Sequence, residues 1–334
     1  MSTKTVITGA TGFLGSNLAK RLSELGFDVV GLGRNSVKGE KLQNNGIKFI
    51  KADLTDSEKL SDIFKNTDYV FHCGAKSSNW GSYKSFFEAN VTGTKNVVNA
   101  CLKNDVERLI HISSPSIYFE YKDKFDIKED DTLPKKFVNN YAETKFLAEN
   151  EIKEGIKNGL DAIILRPRAI MGIGDTAIIP RLIRANNQKF IPKTVKNDIL
   201  IDITFVQNVV EAMLLAMKAD KKYSGQVYNI TNGENIKFYE TIKDIIINAG
   251  FEYNEKKLSY KKIMFLASVL EGIYKFLPNK EPVFTKYSAG LISFNQTLDI
   301  TKAKNELGYK PVISIKEGLE ELKNYYKKGN NDQY

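Results

Sequence analysis

Two side chains one helical turn apart, Tyr141 and Lys145, place a phenol and an ammonium on the same face of any helix that carries them. A tyrosine at its ordinary pKa of about 10 is a poor base at neutral pH, and a nearby cation favours its phenolate. Bringing it to neutrality takes about 4 kcal/mol of preferential stabilisation, within reach of two close positive charges in a partly desolvated cleft. Spacing alone does not select this pair, because the chain also holds Tyr118/Lys122, Tyr239/Lys243 and Tyr253/Lys257. Context does: only Tyr141/Lys145 opens a long periodic segment, over 141–158, shortly after an apolar run that ends in the hydroxyls Ser113-Ser114. With Ser114 holding a substrate oxygen, Tyr141 is placed to pass a proton to or from an alcohol or carbonyl.

A proton relay of this kind needs a redox partner, and the N-terminus offers a place for one. Thr8-Gly9-Ala10-Thr11-Gly12-Phe13-Leu14-Gly15 follows the apolar pair Val6-Ile7 and precedes an amphipathic segment over 16–25. In this reading Gly9 makes the sharp turn, Gly12 lets the backbone approach a pyrophosphate, and Gly15 lets the helix pack closely with its N-terminal N–H groups on the anion. The G-x-x-G-x-x-G spacing departs from the commoner G-x-G-x-x-G, but strand before and helix after support a dinucleotide clamp.

The elements that position these groups alternate. Short buried strands are expected over 4–7, 28–32, 48–50, 69–73, 109–113 and 162–165, with helices over 16–25, 57–64, 90–103 and 141–158. The pattern predicts an α/β fold with a doubly wound parallel sheet of Rossmann type, whose ligands bind at the carboxyl ends of the strands. After Arg166-Pro167 the rhythm changes: a loop at 172–175, a helix over 178–186, a strand over 199–203, a helix over 206–218 and a strand over 227–230. The expected organisation is a dinucleotide-binding domain of 1–168 plus about 203–230. A smaller, discontinuous C-terminal substrate lobe takes about 169–202 plus 231–327, and 328–334 forms a disordered polar tail.

Taken together and in order, the glycine turn, Asp53-Leu54, Asn90-Val91-Thr92-Gly93-Thr94, Ser113-Ser114 and Tyr141-x-x-x-Lys145 resemble the extended short-chain dehydrogenase/reductase family. The resemblance implies Ser114, Tyr141 and Lys145 as catalytic residues and Asn90 as the structural asparagine behind the active-site water chain. It implies cofactor contacts from Gly9, Thr11, Gly12, Phe13, Leu14 and Gly15. Further cofactor contacts fall on Arg34, Asp53, Leu54, Gly74, Ala75 and Pro167, together with Tyr141 and Lys145, the lysine anchoring the ribose. Members of the family commonly dimerise through helices that include the tyrosine helix, so a homodimer is expected.

Cofactor choice turns on the end of the second strand. Val29-Val30-Gly31-Leu32 leads into Gly33-Arg34-Asn35, with no acidic residue for the ribose hydroxyls and a guanidinium suited to a 2′-phosphate, so NADP is preferred over NAD. Family members that act on nucleotide sugars carry an Asn where this chain has Ala169 and an Arg beside the Asp that is Asp202 here; both diphosphate contacts are missing. The segments 166–175, 202–208 and 298–309 are more similar to the 3β-hydroxysteroid dehydrogenase branch, which implies a lipophilic or small organic alcohol or ketone. Two alternatives stand beside it: a nucleotide-sugar epimerase or dehydratase with retained NAD, and a non-catalytic dinucleotide-sensing module. Lys256, Lys257, Lys261 and Lys262 precede the apolar run 263–270, followed by Ile273, Tyr274, Phe276 and Leu277. That segment reads as a lid bordering the substrate pocket, a peripheral membrane contact, or an ordinary buried helix.

Composition bounds the rest. The net charge of +9 (49 basic, 40 acidic) comes from scattered lysines without an aromatic-interleaved basic stripe, which argues against a nucleic-acid partner. Cys73 and Cys101 form no C-x-x-C pair and read as buried thiols of a reducing cytoplasm; the start of the chain resembles no secretory leader. His72 and His111 lie in predicted strands without partners at ligand spacing, so they are read as structural and no metal site is expected.

Overall fold

The computed structural model describes residues 2–195, 198–277 and 280–328. From 329 onward, the segment expected to be a polar tail lies outside the described residues.

Seven strands form one wholly parallel sheet in the order Val227–Ile230, Ala162–Pro167, Arg108–Ile112, Tyr69–His72, Lys4–Thr8, Asp28–Gly33, Lys48–Lys51. Their sequences are continuous apolar runs because helices cover both faces. On one face Ile7, Leu18, Leu22, Met213 and Tyr228 join in a core that also takes Ile300, Leu307 and Tyr309. On the other, Val6, Val30, Leu60, Phe64, Val97 and Ile152 close together. This is the doubly wound Rossmann-like sheet expected from the alternation.

Helix starts follow local chemistry. Asn35 accepts from Lys38 N–H, Asp56 from Lys59 N–H and Asn139 from Ala142 N–H, fixing the first turns of Ser36–Gln43, Ser57–Ile63 and Asn140–Lys157. The helix Phe13–Glu24 begins at Gly12 without any side-chain cap, leaving its N-terminal dipole directed at the cleft. The helix expected over 90–103 begins earlier, at Tyr83, and passes through a π turn, Glu88–Thr92, before continuing as Gly93–Lys103. Hydrophobic periodicity cannot register that widened turn, whose single extra residue shifts the helical phase without changing residue type.

Beyond the main sheet lies a second set of short strands. Asn235–Lys237, Leu200–Asp202, Gln296–Leu298 and Lys124–Ile127 form a mixed four-stranded sheet, while Ile170–Met171 pairs with Thr204–Phe205 and Ile191–Thr194 with Glu255–Leu258. The core beside them gathers Ile179, Ile183, Ile201, Ile236, Ile242 and Leu322. The helix Tyr260–Tyr274 is anchored at only two fully buried positions, Ile263 and Ala267, against Ala289. Phe265 and Phe276 are 67% and 86% exposed, with Val269 and Ile273 also outward. No helix among the described residues is long and apolar enough to cross a membrane.

Candidate active site

The carboxyl ends of the parallel strands open into a cavity of about 640 Å³. Its floor is the glycine turn. Gly9 has φ +69°, and Gly12 N–H closes the turn onto Gly9 O at 2.9 Å. A Cβ on Gly15 would stand 2.4 Å from that same Gly9 oxygen, so only glycine permits this contact between turn and helix. The cradle and the uncapped helix end behind it fit a dinucleotide pyrophosphate, with Thr11, Phe13 and Leu14 on its wall.

Arg34, Asp53 and Leu54 border the adjoining end of the cavity. Arg34 is largely exposed and stands 3.9 Å from Asp53. The Thr55 N–H and hydroxyl, aided by Arg34, hold the Asp53 carboxyl below its ordinary range. Gly74, Ala75 and Pro167 also line the cleft. Thus all the expected cofactor residues meet in one place.

Asn90 does not. It is buried within the π turn, where its amide oxygen accepts from Lys76 N–H at 2.7 Å and its amide nitrogen donates to Lys76 O and Thr144 Oγ1. Asn90 therefore ties the Lys76 backbone to the tyrosine helix as a positioning residue, outside the cavity wall.

Ser114, Tyr141 and Lys145 converge on the cavity from two elements. Ser114 lies just beyond the strand Arg108–Ile112, where Ser116 N–H holds its oxygen at 3.2 Å, and it hydrogen-bonds the Tyr141 phenol. Lys145 is 2% exposed and donates to Ile112 O at 2.6 Å. Burial lowers the lysine to about 8, against the opposing pull of Glu149. Burial pushes the Tyr141 phenol above its ordinary value, and the opposing influence is Ser114.

Beneath this trio lies a buried ionic network. Arg166 donates through Nε and Nη2 to the two Glu149 oxygens at 2.8 and 2.6 Å, and Ser113 Oγ donates to Glu149 at 2.5 Å. Arg166 also meets Tyr118, whose hydroxyl donates to Asn229 at 3.1 Å. Burial disfavours the guanidinium charge, but Glu149 more than offsets it and the group is held above its usual range. The network locks the helix Asn140–Lys157 to the strand Ala162–Pro167 one turn beyond Lys145.

His72 donates or accepts between Thr8 and Thr94 hydroxyls at 2.7 and 2.9 Å, and its ring lies 5.1 Å from that of His111. Both are interior side chains away from the cavity wall. Burial raises both thiols, Cys73 to about 12.

The far half of the cavity holds residues that sequence reading missed as site residues: Arg168, Ile178, Leu182, Ile236, Phe238 and Tyr287. They come from four separate segments brought together by the short strands. Conversely, the helix Tyr260–Tyr274 contributes nothing to the cavity wall, which corrects the lid expectation. Its inward residues are spent on Ala289, and its remaining apolar face points to solvent.

A 2-alkyl-3-oxoalkanoate reductase of Stenotrophomonas maltophilia is 32% identical, covering 96% of this chain and 98% of the relative. A 3beta-hydroxysteroid-dehydrogenase/decarboxylase isoform 1 of Arabidopsis thaliana is 33% identical over 94% of this chain and 77% of its own length. Among solved structures, the UDP-glucuronic acid 4-epimerase of Bacillus cereus in complex with NAD shares the fold, with a TM-score of 0.76 at 23% identity, covering 98% of this chain and 99% of that one. The model of the NAD dependent epimerase/dehydratase family matches residues 5–231, and the chain belongs to that family.

Proposed function

We propose that this chain is an NADP(H)-preferring oxidoreductase that interconverts a secondary alcohol and a ketone on a lipophilic substrate. The observation that carries the reading is the convergence of Ser114, Tyr141 and Lys145 on one cavity with the glycine cradle. The bound nicotinamide supplies or accepts the hydride. Ser114 holds the substrate oxygen and Tyr141 exchanges the proton with it, while Lys145, fixed by Ile112 O, places positive charge below the phenol and holds the ribose. The preference for NADP(H) is supported by Arg34, which presents an exposed guanidinium at the rim of the adjoining end. The wall beyond Pro167 is predominantly isoleucine, leucine and aromatic, which suits a hydrocarbon skeleton better than a sugar nucleotide. We further propose that the tyrosine helix takes part in a homodimer, which sedimentation of the purified chain tests.

The experiment is a fluorescence titration with NADPH and NADH, followed by a screen of lipophilic ketones for oxidation of the bound nucleotide. Tighter binding of NADPH, turnover of ketones, and loss of turnover by at least about a thousandfold in Tyr141→Phe with nucleotide affinity retained are the expected results. Undiminished turnover in Tyr141→Phe, or none by the unmodified protein across the panel, overturns the reading.

A further inference from the structure

Arg168 lines the cavity with a buried guanidinium Nε that has no hydrogen-bond partner among the described residues. Only 7% of its surface is exposed. Its neighbour two residues earlier, Arg166, is fully engaged by Glu149 and Tyr118. A buried cation without a partner is costly, and such a group persists where a ligand completes it.

The backbone here is also unusual. Arg168 N–H donates to Ile230 O, and Thr204 Oγ1 donates to Arg168 O at 2.5 Å, so the main chain on both sides of this side chain is fixed. The next residue, Ala169, has φ +43°, in the left-handed region that a non-glycine residue adopts only at a cost. Strain of this kind, next to an unsatisfied charge in a cavity, points to a binding role.

Asp202 is the acidic group that reaches Arg168 electrostatically, yet it makes no ion pair with it. Its carboxylate accepts from Leu298 N–H at 2.6 Å, and burial raises it to about 6, so it is an incomplete counter-charge. Tyr287 lies within electrostatic reach of both Arg168 and Tyr141, which places the cation near the proton relay. The same cavity wall carries Ile178, Leu182, Ile236 and Phe238 beside the polar Asp175 and Arg181.

We propose that Arg168 is an anion-holding residue of the substrate site and that the substrate is an oxo or hydroxy acid. Its carboxylate seats on Arg168 and its hydrocarbon chain lies among the isoleucines. The proposal rests on the alcohol–ketone reading above and adds the substrate's charge to it. A planar guanidinium takes a carboxylate through two parallel hydrogen bonds, and burial strengthens both.

Decanoate and its neutral counterpart decanamide are the probes, titrated calorimetrically into the NADP⁺-saturated full chain, unmodified and as Arg168→Met and Arg168→Gln. Decanoate is expected to bind the unmodified protein at least about tenfold tighter than decanamide, and both variants are expected to abolish the difference while keeping nucleotide affinity. A circular-dichroism spectrum and a cooperative melt matching the unmodified protein show that a variant is folded, and the second variant serves if the first does not fold. Equal binding of the two probes to the unmodified protein overturns the proposal. So does a loss of nucleotide affinity in both folded variants as large as the loss for decanoate, which assigns Arg168 to the cofactor. Absence of the carboxylate preference with ketone turnover intact sinks this proposal alone; a clear preference without any ketone turnover sinks the oxidoreductase reading alone.

Discussion

Two histidines inside the sheet make the acid response of this protein a residue-scale question. Burial pushes His72 down to about 3 and His111 well below its ordinary value, with the Lys145 charge adding to both. Native imidazoles therefore stay neutral, while unfolded ones take protons near pH 6.5. The unfolded state binds more protons across that window, so the stability contribution is intact above about pH 6.5 and is lost as pH falls toward 3. Both nitrogens of His111 are without hydrogen-bond partners, whereas His72 is bonded at each end. Thermal melting from pH 7 to 4.5 is expected to show a falling Tm, with a shallower slope in His111→Leu; an unchanged slope in that variant refutes the assignment. At this scale the site was partly legible. Ser114, Tyr141 and Lys145 stood out by context, because of the four Tyr-x-x-x-Lys pairs only Tyr141/Lys145 opens a long periodic segment shortly after a strand ending in Ser113-Ser114. Arg168 did not, because nothing in Arg166-Pro167-Arg168 tells which guanidinium has a buried carboxylate beside it; tertiary packing against Glu149 decides that.

At the scale of elements, the buried Arg166–Glu149 pair ties the tyrosine helix to the strand Ala162–Pro167. Both side chains are at most 4% exposed, so removing one partner strands a charge in the interior. Arg166→Leu alone is expected to cost about 3–5 kcal/mol in denaturant unfolding, and Glu149→Leu added to it is expected to recover much of that loss. If the double variant is no more stable than the single one, the network acts through packing and hydrogen bonds to Ser113 and Tyr118 instead. The helices Phe13–Glu24, Asn140–Lys157 and Val206–Lys218 and the seven parallel strands were legible from a clear period or an apolar run, whereas Phe238–Asn248 and Ile315–Lys327 were not read as helices. Of the other strands Leu200–Asp202 was expected, over 199–203, but Lys124–Ile127 was not: it finds its partner Gln296–Leu298 far along the chain, and a half-charged run of four residues carries no signal of that meeting.

For the molecule as a whole, cofactor and substrate surfaces belong to one cavity walled by both sets of strands. Nucleotide at a hundredfold excess over Kd is expected to stabilise the native state by about 2.7 kcal/mol and raise the Tm by about 5 °C, read by scanning calorimetry as one transition. Two separate transitions, only one of them ligand-sensitive, contradict this coupling. The alternating first half announced the nucleotide-binding architecture, while the far wall came from segments whose neighbours only the folded chain reveals.

The main chain passes back and forth between the two cores. It leaves the large sheet after Pro167, returns with the helix Val206–Lys218, leaves again after Ile230, and comes back once more to bury Ile300, Leu307 and Tyr309 before ending in Ile315–Lys327 beside the other core. Neither half is a contiguous stretch of gene. A recombination event that exchanged one substrate wall for another would have to replace several separated cassettes at once, so new specificity in such a scaffold is more readily reached by point changes at positions like Arg168 than by shuffling whole modules.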